Sequence, residues 1–281
     1  MIAHGNPRYD DGVLQSPLMA VRSLWAQREL IRQLTIREVL GRYKGSYLGI
    51  LWTFLNPLIL LSVFTFVFGV VFQARWGRGG ENTAQVALIF FAGLIVFNVF
   101  VESVSRSPTL ILANANYVKR VVFPLEVLSV VVLGSALFHA LVSTVILLVA
   151  VLLVLGHLPW TIVFFPLVAV PLILLVLGLS WFISALGVYV RDIGQFITLF
   201  VTALMFLTPI FYPLTAIPQQ FRFIYGFNPL SYIVEDARRV LLWTEFPDWG
   251  WVLVGTPLSA LVAWLGYAWF QKARRGFADV I

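Results

Sequence analysis

Cysteine is absent from this 281-residue chain, so it has no disulfide framework, no thiolate metal site and no cysteine nucleophile. Charge is also scarce. Asp, Glu, Lys and Arg together make up 11% of the residues, less than half of the roughly 25% found in soluble domains. Hydrophobic residues reach 60%, aromatics 15%, and the mean hydropathy is +0.92. A water-soluble fold of this length needs a charged surface that this composition cannot supply, so lipid is the expected solvent for most of the chain.

Chemistry-bearing patterns are missing as well. The lysines, Lys44, Lys119 and Lys272, are followed by Gly45, Arg120 and Ala273, so there is no Gly-Lys-Ser/Thr phosphate cradle. The histidines, His4, His139 and His157, lack the i, i+4 spacing of a helical zinc site, which argues against metal-assisted hydrolysis. His139 falls inside an apolar run, where a hydrogen bond to a neighbouring helix is the plainer role. The first 48 residues carry seven basic and four acidic side chains with no apolar core before a small-residue cleavage site, so no signal peptide is expected.

What the chain does have is length without charge. Positions 45–74, 82–101, 127–190, 193–221 and 249–271 contain no Asp, Glu, Lys or Arg. A helix needs about 20 apolar residues to cross a hydrocarbon core of about 30 Å, so the longest gap holds two spans and the others one each. Six spans are predicted, at about 48–72, 85–104, 124–155, 162–190, 193–211 and 249–270. The break in the longest gap is set at Gly156-His157-Leu158-Pro159-Trp160, where Gly and Pro punctuate and Trp favours the headgroup level. A closed barrel would show dyad alternation in runs of about ten residues, and these runs do not. The predicted fold class is therefore all-α: residues 1–47 form an amino-terminal segment, 48–272 a six-helix membrane domain and 273–281 a tail.

Six spans place both termini on one side of the membrane. Lys and Arg number 14 on that side and 5 on the other, which makes it the cytoplasmic one. The net charge of +6 is thereby read as topology and contact with membrane lipids, with no nucleic acid as partner.

Three segments between spans carry patterns of their own. Leu24, Trp25, Ile31, Leu34, Val39 and Leu40 alternate with Arg22, Arg28, Arg32, Arg37 and Arg42, which predicts an amphipathic interface helix, either a plain anchor or a docking surface. In the second loop, Ser107-Pro108 reads as an N-cap with proline at the first helical position. Leu110, Ile111 and Leu112 then supply an apolar face before Asn114, Asn116, Tyr117 and Lys119. That face calls for either a partner or the bilayer. The last external loop, 212–248, holds Pro213, Pro218 and Pro229 among apolar stretches and reads as short re-entrant helices, with an amphipathic external cap as the alternative. Glu102, Glu126 and Asp192 lie near Arg106, Arg120 and Arg191, and pairing with these neighbours is expected.

Aromatic side chains recur along the spans. Phe64, Phe68 and Phe72 follow one another at fourfold spacing, Phe90 and Phe97 lie seven apart, and Phe196, Phe200, Phe211 and Tyr212 mark the fifth span. Such ridges serve helix or lipid packing, or line a conduit against whose flat rings sugar faces slide.

Four local sequences, in order, resemble the membrane subunit of type-2 ABC exporters for polysaccharides, the O-antigen, capsule and teichoic acid group. They are Arg42-Tyr43-Lys44-Gly45-Ser46-Tyr47-Leu48-Gly49 with Trp52 and Pro57; Asn114 to Pro124 with Glu126; Thr208-Pro209-Ile210-Phe211-Tyr212-Pro213; and Asn228-Pro229-Leu230-Ser231-Tyr232. Leu125 stands where a basic residue is the pattern.

The resemblance implies a homodimer in the bacterial cytoplasmic (inner) membrane, served by two copies of a separate P-loop ATPase. ATP and Mg would then sit on that partner, with no cofactor in this chain and no catalytic or metal-binding residue. The cargo would be a lipid-linked polysaccharide. It further implies that Ser107, Pro108, Leu110, Ile111, Asn114, Asn116, Tyr117 and Lys119 belong to the ATPase-coupling helix. Arg37, Arg42 and Lys44 would attract the lipid pyrophosphate headgroup. Trp52, Phe64, Phe68, Phe72, Phe90, Phe97, Phe196, Phe200, Phe211 and Tyr212 would line the channel, and Pro213, Pro218, Asn228, Pro229 and Tyr232 would build the external gate. The competing expectations are a permease of the same superfamily for another lipid or drug, an integral-membrane transferase or hydrolase, and a scaffold. The enzyme should show carboxylate or histidine clusters on one face, and the sequence has none.

Overall fold

The computed structural model describes residues 17–73, 76, 82–118 and 123–281, and among these every regular element is helical. Helix α1 (Pro17–Ala26) and the basic α2 (Arg28–Arg42) meet at Gln27, so the amphipathic segment expected as one helix is two. The first long segment opens as a 3-10 turn at Gly49–Leu51, continues as α3 (Trp52–Phe64) and widens into a π-helical end at Thr65–Val71. Helix α4 (Thr83–Leu110) starts on a reciprocal cap: Asn82 Oδ1 accepts from the Gln85 amide at 2.9 Å, and Gln85 Oε1 accepts from the Asn82 amide at 3.1 Å.

After the short α5 (Ala115–Val118) comes α6 (Val127–Leu155), which ends at Gly156 with φ +77°, a left-handed stop that glycine adopts without strain. A 3-10 turn at Trp160–Phe164 leads into α7 (Phe165–Tyr189), followed by α8 (Ile193–Leu207). The short α9 (Arg222–Gly226) and the longer α10 (Pro229–Leu241) precede α11 (Trp249–Ala273) and α12 (Phe277–Val280).

Among the described residues five segments are long and apolar enough to cross a bilayer: 49–71, 83–110, 127–155, 160–189 and 249–280. The remaining expected span, 193–211, is shorter. Helix α8 has 15 residues and stops at Leu207, because a residue before proline is pushed out of the helical region and Thr208 takes φ −103°, ψ 135°. At about 1.5 Å per residue α8 covers about 22 Å, less than the hydrocarbon thickness.

The second span departs from expectation in the opposite direction. It does not end near Val104 but runs through Ser107 and Pro108 to Leu110. Ser107 is no N-cap: its Oγ donates to the Ser103 carbonyl at 2.8 Å, inside the helix. Val104, Ser107, Pro108, Leu110 and Ile111 are buried, and that packing outweighs the single intrahelical bond that proline removes so close to the helix end.

Helix α4 is the axis of the bundle. In its most apolar stretch 78% of residues are buried, against 6% in the segment 49–71, which lies at the periphery. It packs on α3, α6, α7, α8 and α10. The most extensive helix pairing is between α7 and α11, which approach closely at Gly178 and Gly266. A Cβ on Gly178 would stand 2.6 Å from the Val262 carbonyl carbon, and one on Gly266 would stand 2.7 Å from that of Gly178. Without a hydrophobic drive between helices in lipid, such backbone approach supplies the dispersion contact that holds them together.

Candidate functional site

Polar side chains gather where α2 meets α4 and α6. Glu102 and Arg106, one turn apart on α4, both face α2. Arg42 pairs with Glu102, and Arg106 with Glu38. His139 on α6 completes the group, within 3.2 Å of Arg42 Nη1 through Nδ1, within 3.2 Å of the Tyr43 hydroxyl through Nε2, and 3.6 Å from Glu102. A guanidinium can only donate, so Nδ1 is the acceptor and the Nε2–H donates to Tyr43. Of the sequence-local pairings expected for the acidic residues, one is corrected: Glu102 reaches Arg42 rather than Arg106; Glu126 pairs at 2.9 Å with Arg274, and its expected partner Arg120 lies outside the described residues. Fixed charges at membrane depth find partners by tertiary approach, wherever those lie in the sequence. The Arg42 cluster forms one end of a cavity of about 480 Å³ whose walls include Trp52, Asn56 and Asn98.

Arg37 and Lys44 border a second cavity, of about 820 Å³, together with Ile36, Leu40, Arg106 and Tyr117. Both side chains are exposed and neither makes an ion pair among the described residues. Arg42, expected to attract an anionic headgroup beside them, is exposed and paired with Glu102.

The loop after α4 also differs from expectation. Ser107, Pro108, Leu110 and Ile111 are buried within the chain, Leu110 and Ile111 in a cluster with Leu125, Leu128 and Trp181 and Pro108 against Gly187 of α7, so they cannot present a docking face. Asn114 Nδ2 caps the end of α4 by donating to the Leu110 carbonyl at 2.9 Å. Tyr117 stacks on Phe123 at 4.2 Å between ring centroids. Thr109, Leu112, Ala113 and Asn116 are the exposed positions here, and Lys119 lies outside the described residues.

Of the aromatic side chains, Phe64, Phe68, Phe90 and Phe211 converge with Trp76 in one ring cluster, its centroids 4.5–6.0 Å apart in successive contacts. Phe90 and Phe97 are each 1% exposed and cannot line a conduit; their sevenfold spacing marks the core face of α4, where Phe97 stacks on Phe100. Phe72, Phe196 and Phe200 are exposed, with Phe196 and Phe200 stacked on α8, while Trp52 and Phe211 are half-buried. The half-buried Tyr212 meets the Tyr225 hydroxyl at 2.9 Å.

At the other end of α4 the chain between α8 and α11 forms short helices. Pro213 and Pro218 each precede a 3-10 turn, and Pro229 is the first residue of α10. Asn228 caps α10 by accepting from the Leu230 amide at 3.0 Å, while its Nδ2 donates to the Leu207 carbonyl and to Thr208 Oγ1. Tyr232 stacks on Trp251 at 4.3 Å. Asp236 Oδ1 accepts from the Asp248 amide at 2.8 Å; burial pushes its carboxyl up to about 6, against the lowering effect of that hydrogen bond.

The residue that ties this end together was counted in the sequence only as a loop charge. Arg238 is fully buried, donating to the carbonyls of Ile89 at 3.1 Å, Pro209 at 2.7 Å and Ile210 at 2.8 Å, with Glu235 at 3.3 Å and the Trp76 ring at 4.4 Å. A signal for it existed: Arg238 falls on the helical stripe Leu230, Ile233, Val234, Ala237, Leu241, the apolar face of α10.

A family description, ABC-2 type transporter, matches residues 29–242. The O-antigen export system permease protein RfbA of Myxococcus xanthus is 28% identical over 264 residues, covering 93% of this chain and 98% of that protein. A protein of the same name from Klebsiella pneumoniae is 26% identical over 260 residues, covering 90% and 95%. The polysialic acid transport protein KpsM of Escherichia coli is 26% identical over 229 residues, covering 80% and 85%. With the matched region taking in α2 through α10 and four of the five apolar bilayer-length segments found among the described residues, the chain belongs to the ABC-2 type transporter family.

Proposed function

We propose that this multi-pass membrane protein is the channel-forming permease subunit of an ATP-driven exporter for a lipid-linked polysaccharide of the O-antigen kind. The observation that carries this reading is the match, across nine-tenths or more of both chains, to O-antigen export permeases. Two copies enclose the path in the bacterial inner membrane, and two separate P-loop ATPases, which hold the ATP and Mg, act from the cytoplasmic side. Both termini face that side.

The pyrophosphate headgroup is drawn to Arg37 and Lys44, cations beside an open cavity that no carboxylate has claimed. The exposed positions Thr109, Leu112, Ala113 and Asn116 meet the ATPase. Helix α4 transmits the stroke. Its inner end is bound to α2 through Glu102 and Arg106, and its outer end holds α10 through the Ile89 carbonyl, so movement at the coupling loop reaches the gate along one buried rod. The exposed Phe72, Phe196 and Phe200 offer flat faces to the passing glycan.

Purification of the tagged chain from its native membrane in mild detergent tests the assignment. Mass spectrometry is expected to find a P-loop ATPase at equal stoichiometry, and a lone chain in several detergents would sink it. Arg37→Ala with Lys44→Ala is expected to lower surface polysaccharide while leaving the amount of folded complex unchanged; undiminished export would remove the headgroup role.

A further inference from the structure

A pocket of about 410 Å³ opens on the outer side beside α9, α10 and the start of α11, with Tyr225, Ser231, Tyr232, Asp236, Arg239 and Asp248 among its walls. Four buried polar atoms here have no hydrogen-bond partner among the described residues: Ser231 Oγ, Asp236 Oδ2, Arg239 Nε and Trp251 Nε1. Ser231, Asp236 and Arg239 are pocket residues, and the indole of Trp251 stacks on the Tyr232 ring. Ser231 and Asp236 are 3% and 2% exposed, so their unmet groups are not simply surface groups facing solvent. Elsewhere among the described residues such atoms are Gln27 Oε1 and hydroxyls of helical Thr and Ser, and a hydroxyl, that of Ser231 on α10 included, can rotate toward a carbonyl one turn back, so the weight here falls on Asp236, Arg239 and Trp251. A carboxylate oxygen has no such outlet, because it needs a donor.

The four atoms define what would satisfy them. Arg239 Nε–H and Trp251 Nε1–H need acceptors, Asp236 Oδ2 needs a donor, and Ser231 Oγ takes either. A hydroxyl is the ligand group that both gives and accepts, and several hydroxyls on one rigid ring meet several such atoms together. The tyrosine rings at the wall suit the C–H face of a pyranose. Charge decides the class of sugar. Glu235 is paired with Arg238, which leaves Asp236 and Asp248 against Arg222 and Arg239, a balanced set that offers an acidic ligand no net attraction.

We propose that this pocket binds one neutral sugar unit of the exported polymer at the outer mouth of the channel, an inference that rests on the polysaccharide reading. Occupancy gives the emerging chain a hold on α10, the helix that Arg238 couples to α4.

The test uses the complex with its ATPase in lipid nanodiscs and saturation-transfer NMR with methyl α-glucoside, methyl α-mannoside, methyl α-galactoside and glucuronic acid as probes. At least one neutral glycoside is expected to bind, and glucuronic acid to give no signal. Loss of one hydrogen bond in Ser231→Ala or Asp236→Asn is expected to weaken binding about fivefold. The thermal midpoint of Ser231→Ala should not fall, since the hydroxyl it loses has no partner to leave behind. Absence of neutral-sugar binding, equal binding in both variants, or preference for glucuronic acid overturns the proposal. Surface polysaccharide in a deletion strain, restored by the wild-type chain, separates the two levels. Restored export without sugar binding sinks the pocket alone, and a cargo without glycan sinks the functional reading as well.

Discussion

Arg238 shows how one side chain can substitute for missing secondary structure. The chain leaves α8 at Leu207, and the carbonyls of Pro209 and Ile210 would be orphaned at membrane depth had the guanidinium not reached them. Arg238→Met strips both and leaves Glu235 unpaired, and is expected to cost about 3–5 kcal/mol, the range for breaking a buried ionic network. Thermal unfolding in detergent measures it; a midpoint unchanged from wild type would contradict the assignment. Arg42 and Glu102 form an ion pair between α2 and α4. Glu102→Gln and Arg42→Met should each lower stability, and the double variant should lose less than their sum, because each single variant strands the other's charge. An additive cycle would mean that the two do not act together.

Among elements, the helices nearest to pure lipid physics were the most legible in the sequence. Charge-free length located α4, α6, α7 and α11, and Gly156 ended α6 where glycine was expected to. The misreadings share a cause. Ser107-Pro108 and Thr208-Pro209 both pair a hydroxyl residue with proline, yet the first lies within a helix and the second breaks one. Local preference was the same and both pairs are buried; what differs is the partner, since Arg238 takes the Pro209 and Ile210 carbonyls that the broken helix frees. Likewise the sevenfold repeat of Phe90 and Phe97 reports a face without saying which neighbour covers it. Helix pairing is testable at the α7–α11 crossing. Gly178→Val forces a side chain against the Val262 backbone and is expected to destabilise by about 1–3 kcal/mol. Gly194→Ala, whose new methyl would meet only Pro108 Cβ at 3.8 Å, should be silent. Equal behaviour of the two would show that the close approach is unimportant.

For the whole molecule, the absence of cysteine makes the proposed pairing of two copies directly accessible, because every introduced thiol is unique. Leu199 on α8 is 71% exposed and Leu253 on α11 is 74% exposed, so exposure does not distinguish them. With α3 and α8 facing the shared path, Leu199→Cys should cross-link between copies under mild oxidant and Leu253→Cys should not. The reverse pattern would turn the dimer around. The break after α8 carries a mechanical corollary. Asn228 holds Leu207 and Thr208, Arg238 holds Pro209 and Ile210, and both residues belong to the start and body of α10. The stub 207–210 and α10 are therefore tied into one unit with 212–227 looping out between its two parts, so that any shift of this unit against its chain neighbours has to be taken up at the end of α8 and in 242–248.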